Sequence, residues 1–173
     1  MDTLLRIFYA AKYWFADQRG KSDALCVAAS KGNLAEVRFL LAHGAWVDLR
    51  SVFGMQPLHY AVSGGYRRVA EVLVEHGAQV GAMAIFGNGM LHIAAREGHK
   101  DVVELLLEKG ADPAVANRDG KTPRALCSDE GIRALLQEAE RKQDPAVQER
   151  EALAAHLARQ RKLGRLRKPA PSL

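Results

Sequence analysis

The chain has 173 residues, 48% hydrophobic but only 6% aromatic, and carries a formal net charge of +5. That make-up suits a core of Leu, Val and Ala between thin helices, and no run approaches the ~20 apolar residues of a membrane span. Two cysteines on inward or partly inward helical positions predict a reducing compartment and exclude a disulfide framework.

Residues 1–21 stand apart. Leu4, Leu5, Ile7, Phe8, Tyr9, Tyr13, Trp14 and Phe15 form a dense apolar stretch interrupted by Arg6 and Lys12. Lys12 splits any signal-peptide core, and Asp2 and Asp17 disfavour a mitochondrial presequence. The stretch predicts a short helix covering the open end of the helices that follow. The alternative is a helix docked on a membrane surface or a partner, with Tyr13 and Trp14 at the interface.

Beyond Gly20 the chain repeats every 33 residues. Gly44-Ala45 returns as Gly77-Ala78 and Gly110-Ala111; Gly32, Gly65 and Gly98 keep the step, as do Gly54, Gly87 and Gly120. Leu25, Leu58 and Leu91 align, followed by Cys26, His59 and His92. Self-similarity at this length predicts stacked units, none able to bury its apolar face alone. Within one unit, Pro57 suits a first helical turn, and Leu58, Ala61 and Val62 make an apolar stripe. Gly65 ends that helix, and a second runs through Val69, Val72 and Leu73 to a Gly77 cap. Residues 80–89 are too short and glycine-rich for a helix and predict a hairpin-like finger. In the first unit, Ser22 and Asp23 offer capping oxygens for a helix over 24–31.

Gln56-Pro57-Leu58-His59-Tyr60-Ala61 and Gly89-Met90-Leu91-His92-Ile93-Ala94 resemble the ankyrin signature Thr-Pro-Leu-His-x-Ala. The resemblance to the ankyrin repeat family covers about residues 22–139. Departures are Met90 for the usual proline, Ser51 and Ala84 at the finger openings, and Trp46 where Asp112 stands later. The resemblance implies an all-α ankyrin-repeat solenoid of about four repeats, over 22–49, 50–82, 83–115 and 116–140. The last repeat reaches Leu135-Leu136 about three residues early, which predicts a shortened final helix. A third segment, 141–173, opens with Asp144-Pro145 as cap and first turn and predicts a helix over 145–162.

From Arg159 onward there are six basic residues, Arg159, Arg161, Lys162, Arg165, Arg167 and Lys168, and no acid, so the rest of the chain sums to about −1. This tail fits a nuclear-import address, or contact with nucleic acid or an acidic lipid surface. No aromatic residue interleaves with it, which disfavours base stacking. A solvated basic end without a dedicated partner is the simpler alternative.

Candidate chemistry is sparse. Gly120-Lys121-Thr122 imitates a phosphate loop, but Val115 stands where the first glycine belongs, and Pro123 removes an N–H. Cys26 shares a repeat position with His59 and His92, so packing rather than catalysis sets its surroundings. Neighbouring layers lie ~8–10 Å apart, too far for the two histidines to share a zinc ion. His43 and His76 precede the Gly-Ala steps and predict capping of helix C-termini. No cofactor, metal or catalytic set emerges.

In the ankyrin layout, finger tips and first helices line one concave face. That places Val52, Phe53 and Met55 on one tip and Ile85 and Phe86 on the next, with Tyr60 and Ile93 continuing the face. Arg118 and Lys121 charge the last finger. Two consecutive apolar tips predict a partner site. The expected function is a non-catalytic scaffold or adaptor, monomeric on its own, holding a protein partner there. The alternative is an adaptor whose tail binds nucleic acid or acidic membrane or directs nuclear import. Cytoplasm, or nucleus through the tail, is the expected location.

Overall fold

The computed structural model describes residues 3–13, 16–51, 54–84 and 87–166, side chains at 5, 6, 146, 147, 150, 151 and 160–166 excepted. The chain divides into two units, Met1–Leu136 and Gln137–Leu173. The second holds the end of a helix begun in the first and then α10 (Pro145–Leu166), which starts where the Asp144-Pro145 pair places it.

The first unit is built in two layers. First helices α2 (Gln18–Ser30), α4 (Pro57–Ser63), α6 (Met90–Glu97) and α8 (Pro123–Leu126) stack in sequence order. Second helices α3 (Leu34–Ala42), α5 (Arg67–Glu75) and α7 (Lys100–Glu108) stack beside them, preceded by α1 (Thr3–Tyr13) on α3. The 33-residue register is the register of burial: Leu25, Leu58 and Leu91, and Leu40, Leu73 and Leu106, are at most 2% exposed. Removing such a leucine costs about 2–5 kcal/mol, through lost transfer energy and the cavity left behind.

Two glycine series explain how the units close and stack. Gly44, Gly77 and Gly110 adopt φ of 84–94°, the left-handed region that lets each second helix turn out through an N–H bonded back to its last turn. Gly32 and Gly65 lie under a ring of the following unit. A Cβ at Gly32 would fall 2.5 Å from Tyr66, and one at Gly65 would fall 2.7 Å from His99. His99 Nε2 also meets the Ser63 carbonyl at 3.0 Å.

The start of the array differs from the sequence expectation. α2 begins at Gln18, and its cap is Asp17, whose carboxylate accepts from the Gly20 N–H at 2.7 Å. Ser22 is not a cap. It is fully buried inside the helix, where its hydroxyl donates to the Gln18 carbonyl (2.8 Å) and accepts from the Trp46 N–H (2.7 Å). The Trp46 amide needs a partner in the interior, and Ser22 supplies it.

α1 is joined to α3 through a polar knot. The Glu36 carboxylate, 6% exposed, accepts from Tyr13 Oη and Lys12 Nζ, both at 2.5 Å, and from Asn33 Nδ2 at 2.9 Å. Beside it the Tyr9 ring lies 5.4 Å from Phe39, which stacks on His43 at 4.0 Å.

At the other end the shortened helix is α8, not the final one. Arg124 occupies the slot of Leu25, Leu58 and Leu91, and it stays exposed. With no leucine to bury, α8 stops after four residues and Cys127 is extended. Asp129 then caps α9 (Glu130–Gln143), accepting from the Ile132 N–H at 2.9 Å. The early start brings Ile132 and Leu136, both 0% exposed, into the core.

Candidate functional site

Three fingers share one backbone hydrogen-bond pattern at their described residues. Ser51 N–H donates to the Met55 carbonyl, Ala84 to Asn88 and Asn117 to Lys121, at 2.8–3.0 Å. Gly54, Gly87 and Gly120 each donate back to the opening residue at 2.9–3.0 Å. A bridge between Met83 and Gly89 extends the second finger. Side chains tie the fingers to one another. Arg50 Nη1 donates to the Met83 carbonyl at 3.0 Å and to Gly54 at 3.3 Å, and Asn117 Nδ2 donates to Asn88 Oδ1 at 2.9 Å.

The tip residues Val52, Phe53, Ile85 and Phe86 lie outside the described residues. Of the other expected contact residues, Met55 and Tyr60 are half-buried, with the Tyr60 hydroxyl donating to Ser51 Oγ at 3.1 Å. Arg118 and Lys121 are exposed. Ile93 is not a surface residue: it is 5% exposed and belongs to the core. Tyr60, at the same position one repeat earlier, is half open, so the repeat position alone does not set exposure.

The structure adds residues that the sequence reading passed over. Val27 occupies the repeat position of Tyr60 and Ile93, one step earlier, and is 52% exposed because α2 has a first-layer neighbour on one side only. Arg50, Met83 and Ala116 share another position, at the finger bases. There a cleft of about 410 Å³ runs across all three fingers, lined by Arg50, Gly54, Met83, Gly87, Asn117 and Arg118, among others. The same 33-residue ruler picks out both sets.

The histidines and cysteines are fixed by packing. His59 and His92 are at most 1% exposed, and each Nδ1 accepts the backbone N–H at the start of its own helix, from Gln56 (3.1 Å) and Gly89 (3.2 Å). An accepting Nδ1 places the proton on Nε2, and that of His92 donates to the Lys121 carbonyl at 3.0 Å. Burial pushes the His59 pKa down to about 4 and that of His92 down as well, so both rings are neutral near pH 7. His43 and His76 reach the Phe39 and Val72 carbonyls at 2.7 and 2.8 Å, closing the last turns of α3 and α5. Burial, with Asp23 adding to it, drives the Cys26 thiol up to about 11, which keeps it protonated and a poor nucleophile. Among the described residues no group of three or more His, Cys, Asp and Glu is placed to hold a metal ion.

In the second unit Arg159 is exposed. Arg161, Lys162 and Arg165 lie within α10, with side chains that are not described. Arg167 and Lys168 lie outside the described residues. No described helix is long and apolar enough to cross a membrane.

Stacked helix pairs joined by fingers at a fixed step define a repeat protein. A family model described as ankyrin repeats in three copies matches residues 3–84, and a single ankyrin-repeat model matches residues 86–118. The chain belongs to the ankyrin-repeat family, whose members are generally protein–protein interaction modules and typically non-catalytic. The first match takes in α1, which the sequence reading had set apart from the repeats. No curated protein matches the chain.

Proposed function

We propose that this protein is a scaffold or adaptor that holds a segment of a partner protein along its fingers and first helices. The observation that carries this is the cleft shared by three fingers that follow one hydrogen-bond pattern, lined in part by exposed Met83. Apolar side chains beside a groove, with charge at its rim from Arg118 and Lys121, have the anatomy of a binding hot spot. Phe53 and Phe86, one repeat apart in sequence, are the proposed anchors. A finger has little core of its own in which to bury two phenylalanines.

The test is capture of a partner by the full chain. Replacing both phenylalanines, as Phe53→Asp with Phe86→Asp, is expected to abolish capture and leave thermal unfolding nearly unchanged. Collapse of the fold would make both residues core and end the proposal. Deleting residues 159–173 separates the tail reading, which the exposed Arg159 near the end of a long helix keeps in play. If capture depends on the tail, it falls steeply with added salt and vanishes with the deletion.

A further inference from the structure

We infer that the partner segment is acidic as well as apolar, and that a carboxylate side chain enters the finger cleft to be held between Arg50 and Arg118. This rests on the finger face being the docking surface and names what that surface selects.

The cleft contains two guanidinium groups and, among the described residues, no carboxylate. Among the described residues Arg50 spends only Nη1 on protein partners, the Gly54 and Met83 carbonyls, which fix one corner of its guanidinium and leave Nε and Nη2 for a ligand. Arg118 has no hydrogen bond or ion pair among the described residues. Its stem lies where a Cβ at Gly87 would sit, since such an atom would fall 2.9 Å from Arg118 Cγ. Glycine at the middle finger therefore leaves room for the stem of the third finger's arginine. The neighbouring backbone N–H groups of Gly54, Ala84, Gly87 and Asn117 are already used within the fingers and do not compete with the arginine side chains for a ligand. A planar fork with one edge free matches a carboxylate in two parallel hydrogen bonds. Exposed Met83 lines the cleft with apolar surface, and half-buried Met55 follows its Gly54 in sequence. That pairing favours a peptide with an acidic residue among aliphatic ones over a bare polyanion.

The experiment selects binders to the full-length chain from a random peptide library displayed on phage. Wild type should enrich peptides with Asp or Glu flanked by apolar residues. A selected peptide, synthesised and titrated, should bind roughly tenfold or more weakly to Arg118→Gln, as loss of a charge-assisted hydrogen bond gives. The same peptide with its acid changed to the amide should bind wild type and Arg118→Gln alike. Arg118→Glu should shift the selection toward Lys and Arg. Because Arg118 has no described partner to lose, its variants should unfold at the wild-type temperature; Arg50→Gln adds the second site.

Enrichment of apolar peptides without an acid overturns this inference and leaves the docking surface intact. Failure to enrich any peptide that the Phe53→Asp, Phe86→Asp variant loses overturns the docking surface itself. Competition by RNA or by phosphatidylserine vesicles as strong as by the acidic peptide overturns the inference in favour of unselective charge attraction.

Discussion

The first and last helices of the first unit meet the core through different chemistry. At the N-terminal end α1 lies on α3 through a buried carboxylate, two tyrosine hydroxyls, a lysine and a tier of aromatic rings. At the C-terminal end a first helix is cut to four residues, and α9 starts early to insert Ile132 and Leu136. One end depends on charge and hydrogen bonds; the other depends on aliphatic burial and a single cap. The contrast shows that a repeat array does not prescribe how its ends are closed. The interior contacts are copied from repeat to repeat, whereas each terminal layer has a neighbour on one side only.

The largest effect that would break the contrast is expected at Phe39, 3% exposed and in contact with Tyr9, Tyr13 and His43. Phe39→Ala should destabilise the unit by about 3–5 kcal/mol. Amide exchange should show α1 losing protection first; uniform loss across α1 and α9 would mean that the ends are not separate.

Next comes acid. Burial pushes the Glu36 carboxyl up, but hydrogen bonds from Lys12 and Tyr13 outweigh it and hold the pKa below the usual 4.5. Its contribution is therefore present above pH 4.5 and lost as pH falls through the lowered folded value. Hydrogen bonding to Glu36, with a smaller contribution from Tyr13, raises the Lys12 pKa well above 10.5, so the alkaline loss begins above that pH. His59 and His92 titrate at the centre of the array. Their lowered values mean that stability falls from about pH 6.5 downward, through about 4 for His59. Exchange measured from pH 7 to 3 should show the middle repeats loosening first and α1 following below 4.5. Glu36→Gln should remove the α1 step, at a cost of about 1–3 kcal/mol for the weakened buried hydrogen bonds.

The smallest effect belongs to the other end. Asp129→Ala should cost about 1 kcal/mol through loss of the α9 cap, with fraying confined to residues near Ile132 and no added acid sensitivity at α1. An acid response at α1 altered by this variant would show that the two ends communicate.

Much of the fold was legible because most of its signals are short-range. The Gly-Ala steps, the proline starts, the finger glycines and the histidines at 43, 59 and 76 act within a few residues of where they stand. The 33-residue spacing then carries one local solution through the chain. The candidate site was legible only in part. The ruler placed Val27, Tyr60 and Ile93 at one position, but it could not say that Ile93 would be closed and Val27 open. It also marked Cys26, His59 and His92 as one packing position, which the hydrogen bonds of the two rings explain.

What the sequence by itself determined is the unit: two helices, a finger, and the step at which they recur. Only the tertiary structure decided the exceptions. Ser22 became an interior hydrogen-bond partner for Trp46, Arg124 ended a helix for want of a leucine, Glu36 drew α1 onto α3, and Arg50 and Arg118 came to line one cleft across three fingers. The reason is physical. Backbone geometry is set by neighbours along the chain, whereas burial and pairing depend on which surfaces the stack brings together, and at an end or across a finger those surfaces lie tens of residues apart.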